Sequence, residues 1–133
     1  MPGCRVIFTN GLPSDYQVTV IGIGAKFFYK AADGSITHDW QTSKEVNLSS
    51  GQSDNLDSNE PNSCVGAVLG VMTCIQNGQT KTLSQYDPIA AGLCGIDWEF
   101  KVCPKPVSQD AYQSIDEALN AKPVGLIATG SGK

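Results

Sequence analysis

The chain has 133 residues, of which 41% are hydrophobic and only 17% are charged, and its formal net charge is −4. This size suits one domain with a real core, and low charge with abundant Gly, Ser, Thr and Asn favours a β-rich extracellular protein. The composition argues against a nucleic-acid surface, because the nine basic residues are scattered whereas phosphate contacts need clustered Lys and Arg. No apolar run is long enough to span a bilayer as a helix.

The first half of the chain predicts strands separated by turns. Residues 4–10 are β-branched and aromatic and predict a short strand. Residues 16–30 predict a long strand, which an Asp-Gly turn at 31–35 connects to a partner strand at 36–48. The next segment, 49–64 (SSGQSDNLDSNEPNSC), has one large apolar side chain and no aromatic one. We predict a solvated polar loop there.

The middle of the chain predicts a second hairpin and an alternating strand. Residues 64–76 contain interior glycines and β-branched residues that favour a strand over a buried helix. Asn77-Gly78 is a strong hairpin signal that would pair this strand with residues 79–86. Residues 96–103 alternate apolar and charged side chains, which is typical of a strand with one buried face.

One amphipathic helix is predicted near the end of the chain. Residues 108–121 begin with a good N-cap residue, Ser108, and carry an apolar stripe at helical spacing. Residues 124–130 predict a last strand. The sequence therefore predicts a single α+β domain over 1–133, a mostly antiparallel sheet with one helix from the C-terminal half packed on it.

The cysteines favour a disulfide-supported, secreted protein. None of the five forms a C-x-x-C pair and the chain has a single histidine, so a zinc site has little support. We expect two disulfides and one leftover thiol, with the pairing open. The alternative is that the cysteines are reduced and act as small buried hydrophobes. The candidates are Cys4, Cys64, Cys74, Cys94 and Cys103.

Three patterns that suggest catalysis or cofactor binding have simpler explanations. The G-x-G of GIGAKFF at 22–28 lacks the third glycine of a dinucleotide loop, so a strand bulge or a close packing point explains it better. His38 has Asp39 beside it, but neighbours in a strand point to opposite faces. Asp97 and Glu99 would share a face at a spacing that suits a glycosidase pair, although alternating acids are common on solvent faces. We therefore predict no enzyme activity and no cofactor.

The polar segment is the strongest candidate for a ligand site. It fails the EF-hand pattern because Glu60 stands where the glycine is required. We predict no metal site there, with an irregular calcium site as the alternative. Acids and amides on a loop suit the hydroxyl groups of a carbohydrate, and an aromatic side chain would contact its C–H surface. The candidate glycan-binding residues are Trp40, Tyr29, Asp54, Asn55, Asp57 and Asn59.

The chain resembles the small single-domain glycan-binding defence proteins (lectins) of mushrooms. The resemblance rests on the Cys-bearing first strand CRVIFTN, the turns in ADGS and NGQT, the Asn/Asp/Ser-rich segment and the spaced cysteines. It implies sugar binding, toxicity to cells that bear the cognate glycan, and no catalysis. The chain is also similar to the membrane-binding aegerolysins, which are all-β sandwiches, but the helix predicted at 108–121 departs from that pattern.

We therefore expect a secreted, non-enzymatic, lectin-like protein whose partners are glycans or glycoproteins, with a homodimer left open. The alternative is a secreted inhibitor or toxin-like effector that acts through an exposed loop at 49–63. A small hydrolase ranks last.

Overall fold

The computed structural model describes residues 4–30, 33, 35–58, 64–88, 97–105 and 122–131, and most of these residues lie in β-strands. In chain order the strands are β1 (Arg5–Asn10), β2 (Val18–Lys30), β3 (Ile36–Leu48), β4 (Ser53–Asp57), β5 (Cys64–Gln76), β6 (Gln79–Pro88), β7 (Asp97–Pro104) and β8 (Val124–Ser131). Within these residues the only helical segment is one 3-10 turn, Ser14–Tyr16. The predicted α+β class is therefore wrong, and the described part of the chain is nearly all β. The helix predicted at 108–121 lies outside the described residues.

The strands form two four-stranded sheets. Sheet A has the order β4-β1-β7-β8 and sheet B the order β3-β2-β5-β6. All neighbouring strands are antiparallel except β1 and β7, which run parallel. Asn77 and Gly78 connect β5 to β6 with φ angles of 53° and 76°, as a type I′ hairpin turn requires.

The two sheets pack face to face because each carries one apolar side. In β7, Trp98, Phe100 and Val102 are buried while the residues between them are more exposed, as the alternation predicts. The rings of Phe8 and Phe100 stack with centroids 5.6 Å apart. Across the sandwich, a Cβ added to Gly70 would lie 2.6 Å from the Phe100 ring. Only glycine lets the two sheets approach this closely at that point.

A buried asparagine joins the two sheets at one end of the sandwich. Asn10 is fully buried at the end of β1. Its Nδ2 donates to the carbonyl oxygens of Val18 (3.1 Å) and Leu48 (3.0 Å). Its Oδ1 accepts from the N–H of Leu12 at 3.1 Å. The Asn10 amide group therefore uses both its hydrogens and its oxygen, and it hydrogen-bonds three buried backbone groups.

A bulge in β2 determines which residues face outwards. The register of β2 with both neighbours shifts between Val20 and Gly22. After the bulge the buried residues are Ile23, Ala25, Phe27 and Tyr29. Strict alternation from Val18 and Val20 would turn Ile23 outwards, but the extra residue at the bulge reverses the alternation and buries Ile23. The other face of β2, which carries Gly22, Gly24, Lys26 and Phe28, becomes the outer surface of sheet B.

The prediction of a disulfide-supported fold with two disulfides is also wrong. Cys4, Cys74 and Cys103 are thiols, and the side chains of Cys64 and Cys94 lie outside the described residues. Burial raises the pKa of the Cys4 thiol, and the nearby carboxylates of Asp97 and Asp57 raise it further. Burial also raises the pKa of Cys74 to about 11. Cys4 and Cys74 belong to the apolar core, which is the alternative role considered for the cysteines.

Over the described ranges, no helix has the length and apolar character that a membrane crossing would need.

Candidate functional site

The outer face of sheet B carries a groove of about 530 Å³, which is within the range of small-ligand sites. Three adjacent strands form it, with β2 as the floor between β3 and β5. We call it the outer groove. Its lining residues are Gly22, Ile23, Gly24, Ala25, Lys26, Gln41, Ser43, Lys44, Glu45, Leu69, Val71 and Thr73.

The strand register shows how these side chains are arranged. Residues directly opposite each other in neighbouring strands point to the same face. Successive rows on one face are about 7 Å apart, and the strands on either side of the floor are about 10 Å apart. Across β3, β2 and β5 the rows are Glu45, Gly22 and Thr73; Ser43, Gly24 and Val71; Gln41, Lys26 and Leu69; and Asp39, Phe28 and Ala67. The groove therefore has a polar wall on β3, a mainly apolar wall on β5 and, at Gly22 and Gly24, a floor without side chains.

The two floor glycines are not required by the packing of the described residues. A Cβ added to Gly22 would lie 3.6 Å from the Thr73 side chain, and one added to Gly24 would lie 3.7 Å from its nearest neighbour, the Thr42 carbonyl oxygen. These are ordinary van der Waals distances, and neither residue has a positive φ. Glycine in a strand interior lowers stability because it is flexible when unfolded and packs nothing. The bulge accounts for irregular backbone beside Gly22, but it does not account for Gly24.

An aromatic pair lies at one end of the outer groove. The rings of Phe28 and Tyr86 meet edge to face with centroids 5.8 Å apart. Tyr86 is opposite the groove residue Leu69 and is 51% exposed. The Lys26 ammonium lies 5.6 Å from the centre of the Phe28 ring and 3.1 Å from an Asp39 carboxylate oxygen. An aromatic surface and paired charges thus adjoin the groove.

Trp40, the main aromatic candidate from the sequence, is accessible but lies elsewhere. It is 41% exposed and pairs with the buried Phe27. It therefore lies on the inner side of the edge strand β3, while the groove residues Gln41 and Ser43 lie on the outer side. Tyr29, the second aromatic candidate, is fully buried in the core and is not accessible to a glycan.

The predicted polar loop is partly a strand. Residues 53–57 form β4 at the edge of sheet A, and Leu56 is buried. Asp54 accepts a hydrogen bond from Lys44 of sheet B at 2.9 Å, and Asp57 accepts one from Arg5 at 3.0 Å. The Lys44 hydrogen bond lowers the pKa of Asp54, as does the N–H of the next residue.

These acidic and amide candidates are divided between the two faces of β4. Asn55 pairs with Ile7 on the outer face of sheet A, whereas Asp54 lies on the inner side of β4. Asn59 lies outside the described residues. The alternative of an inhibitor or toxin-like effector requires an exposed loop at 49–63, but residues 53–57 of that segment form a strand.

Two of the catalytic candidates share a face but lie away from the outer groove. Asp97 and Glu99 lie on the outer face of sheet A, where Glu99 pairs with Ile7 and Thr129, and neither lines the outer groove. His38 is in β3, and its side chain is not among those described. No group of three or more His, Cys, Asp or Glu side chains in the described ranges is placed to hold a metal ion.

Sequence reasoning missed the groove walls. Gln41, Ser43, Glu45, Leu69, Val71 and Thr73 were not among the candidates. The available signal was the alternate spacing of Gly22 and Gly24, which leaves two successive positions on one face of a long strand without side chains. That spacing was interpreted as a bulge or a packing point.

A second groove of about 390 Å³ lies between β6 and β8 and is lined in part by Leu83, Cys103 and Leu126. It adjoins Lys105, whose N–H donates to the carbonyl oxygen of Pro123 at 2.9 Å. Residues 106–121 connect these two positions along the chain, so the described residues do not define the surface of this groove.

No protein-family model, curated protein or solved structure matches this chain.

Proposed function

We propose that this protein is a non-enzymatic, lectin-like carbohydrate-binding protein and that the outer groove is its glycan site. The observation that carries the proposal is the bare floor at Gly24. A strand glycine with room for a Cβ and a negative φ weakens the sheet without an internal reason. A ligand that needs the space beside the backbone supplies that reason.

The chemistry of the walls suits a sugar. Carbohydrates present hydroxyl groups along their edges and C–H groups on their faces. Gln41 and Ser43 on β3 offer amide and hydroxyl groups, which both donate and accept hydrogen bonds. Leu69 and Val71 on β5 offer an apolar surface, and the exposed Tyr86 ring extends it. A purely apolar ligand would leave the β3 wall unpaired.

The proposal includes action outside the cell as a fungal defence or cytotoxic protein, as the resemblance to mushroom lectins implies. The thiol state of Cys4, Cys74 and Cys103 removes most of the cysteine argument for an oxidising compartment. The extracellular location therefore rests on composition and on the resemblance.

A glycan array with three purified proteins tests the proposal. We expect the wild type to bind one or more glycans above background. Gly24→Val fills the floor with a strand-favouring side chain and should weaken binding at least tenfold while the protein stays folded. Thr80→Val places the same side chain on β6, opposite Ile75 and outside the groove lining, and should bind like the wild type.

Two results would contradict the proposal in different ways. If the wild type binds no glycan on the array, the carbohydrate function is wrong. If Gly24→Val binds as strongly as Thr80→Val, the protein binds glycans at another surface.

A further inference from the structure

The charges around the outer groove are paired, with one exception. Lys26 lies 3.1 Å from Asp39 on the outer face. Lys44 is opposite the buried Ile23, so its ammonium lies on the inner side of β3, 2.9 Å from Asp54. Glu45 lines the groove, is exposed, and forms no ion pair or hydrogen bond in the described part of the chain. On the outer face one lysine therefore meets two carboxylates, and the groove region has a formal charge of −1.

Glu45 also lies beside the barest part of the floor. Its partner on β2 is Gly22, and the residue beyond that glycine is Thr73 on β5. No side chain from the central strand separates the Glu45 position from the groove interior. A ligand on the floor would thus have a carboxylate on one side and a hydroxyl group on the other.

An ionised carboxylate only accepts hydrogen bonds, and its two oxygens can accept from two donors at once. Two neighbouring sugar hydroxyl groups form a donor pair with this geometry. Hydrogen bonds to a charged acceptor are also stronger than those between neutral groups. An acidic sugar, a sulfate or a phosphate would instead meet a net negative groove whose outward-facing lysine, Lys26, already has a carboxylate partner.

We infer that the outer groove selects neutral glycans and that Glu45 binds a pair of adjacent sugar hydroxyl groups. This inference rests on the proposed function and deepens it by naming the ligand class and the residue that sets it. Ser43 and Thr73 complete the polar contacts of the same two rows, and Val71 contacts the C–H side of the sugar.

Matched Glu→Gln variants on opposite sides of the molecule test the role of Glu45. The probes are neutral oligosaccharides on an array, together with sialylated and sulfated forms of the same cores. The neutral glycan that binds the wild type most strongly is then titrated calorimetrically into three proteins. We expect Glu45→Gln to weaken binding about tenfold to a hundredfold, since it removes charge-assisted hydrogen bonds. Glu99→Gln, on the outer face of sheet A, should change the affinity less than twofold.

Thermal unfolding of both variants controls for folding, and both should match the wild type because neither substitution changes a buried residue. Preferred binding of the sialylated or sulfated forms would overturn the inference and leave the proposed function intact. Unchanged binding by Glu45→Gln, with weakened binding by Gly24→Val, would do the same. If the wild type binds no glycan at all, both the inference and the proposed function are wrong.

Discussion

Gly70 and Gly24 lie in neighbouring strands of sheet B, but on opposite faces and for opposite reasons. At Gly70 the Phe100 ring occupies the space that a Cβ would need, at 2.6 Å. At Gly24 no atom lies closer than 3.7 Å to the position that a Cβ would take. Packing contacts within the described residues therefore require glycine at position 70, whereas no such contact requires glycine at position 24.

The same contrast holds for polar side chains. Asn10 in the core uses both of its amide hydrogens and its oxygen on backbone partners. Glu45 in the outer groove uses neither of its oxygens within the described residues. Positions that the fold explains completely should respond to mutation with lost stability. Positions whose side chains make no such contacts, such as Gly24 and Glu45, should respond with lost binding.

The largest effect on stability is expected for Asn10→Ala. This substitution removes three hydrogen bonds and leaves the carbonyl groups of Val18 and Leu48 and the N–H of Leu12 buried without that partner. We expect it to lower the free energy of unfolding by about 3 kcal/mol or more. Urea unfolding followed by tryptophan fluorescence measures this, and a loss below about 1 kcal/mol would show that water readily replaces the side chain.

Gly70→Ala should have the next largest effect. The added methyl group overlaps the Phe100 ring, which is fully buried and stacked on Phe8. Overpacking of this kind lowers stability by about 1–3 kcal/mol. Chemical denaturation of this variant beside Gly24→Ala makes a matched pair, and equal stabilities would break the contrast between the two glycines.

Gly24→Ala should stabilise the protein. The new methyl group fits without a clash, and replacing a strand glycine adds about 0.5–1 kcal/mol. The same variant should bind glycan more weakly than the wild type because the floor is higher. A loss of stability above about 0.5 kcal/mol would mean that the groove glycine serves packing after all.

The smallest effect is expected at the Lys44–Asp54 contact between the two sheets. The pKa of Asp54 is lowered in the folded protein, so its contribution is present above the ordinary value of 3.8 and disappears as the pH falls through the lowered pKa. Both groups are partly exposed, so we expect only about 0.3 kcal/mol at neutral pH. Asp54→Asn and the wild type should therefore differ slightly in urea unfolding at pH 7 and converge in acid. A difference in the free energy of unfolding that persists at pH 2 would show that it comes from packing rather than from the charge of Asp54.

Most strands could be predicted because their side chains alternate or their turns are distinctive. β7 was predicted from the spacing of Trp98, Phe100 and Val102, and the hairpin at 77–78 from Asn-Gly. β4 could not be predicted, because Leu56 is its only buried apolar residue and its order comes from pairing with β1. Such a strand depends on backbone hydrogen bonds to a segment about fifty residues away in sequence, which no local pattern encodes.

The candidate site was less predictable than the fold. The groove needs three strands in a particular register, and the bulge after Val20 decides which face of β2 carries the glycines. A shift of one residue would turn Gly24 inwards and Ala25 outwards. In the sequence, the polar residues of β3 are indistinguishable from an ordinary solvent-exposed face. Only their position beside Gly22 and Gly24 in the sheet makes them the wall of a groove.

The parallel pairing of β1 with β7 has a consequence for how the chain folds. Sheet B joins β2 to β3 and β5 to β6 through short connections, whereas the register of sheet A places Val6 opposite Trp98, about ninety residues later. Closing so long a loop is entropically costly, and contacts of high sequence separation slow folding. The sheet that carries the outer groove can therefore assemble early, and the pairing of β1 with β7 in sheet A would set the rate at which the native protein forms.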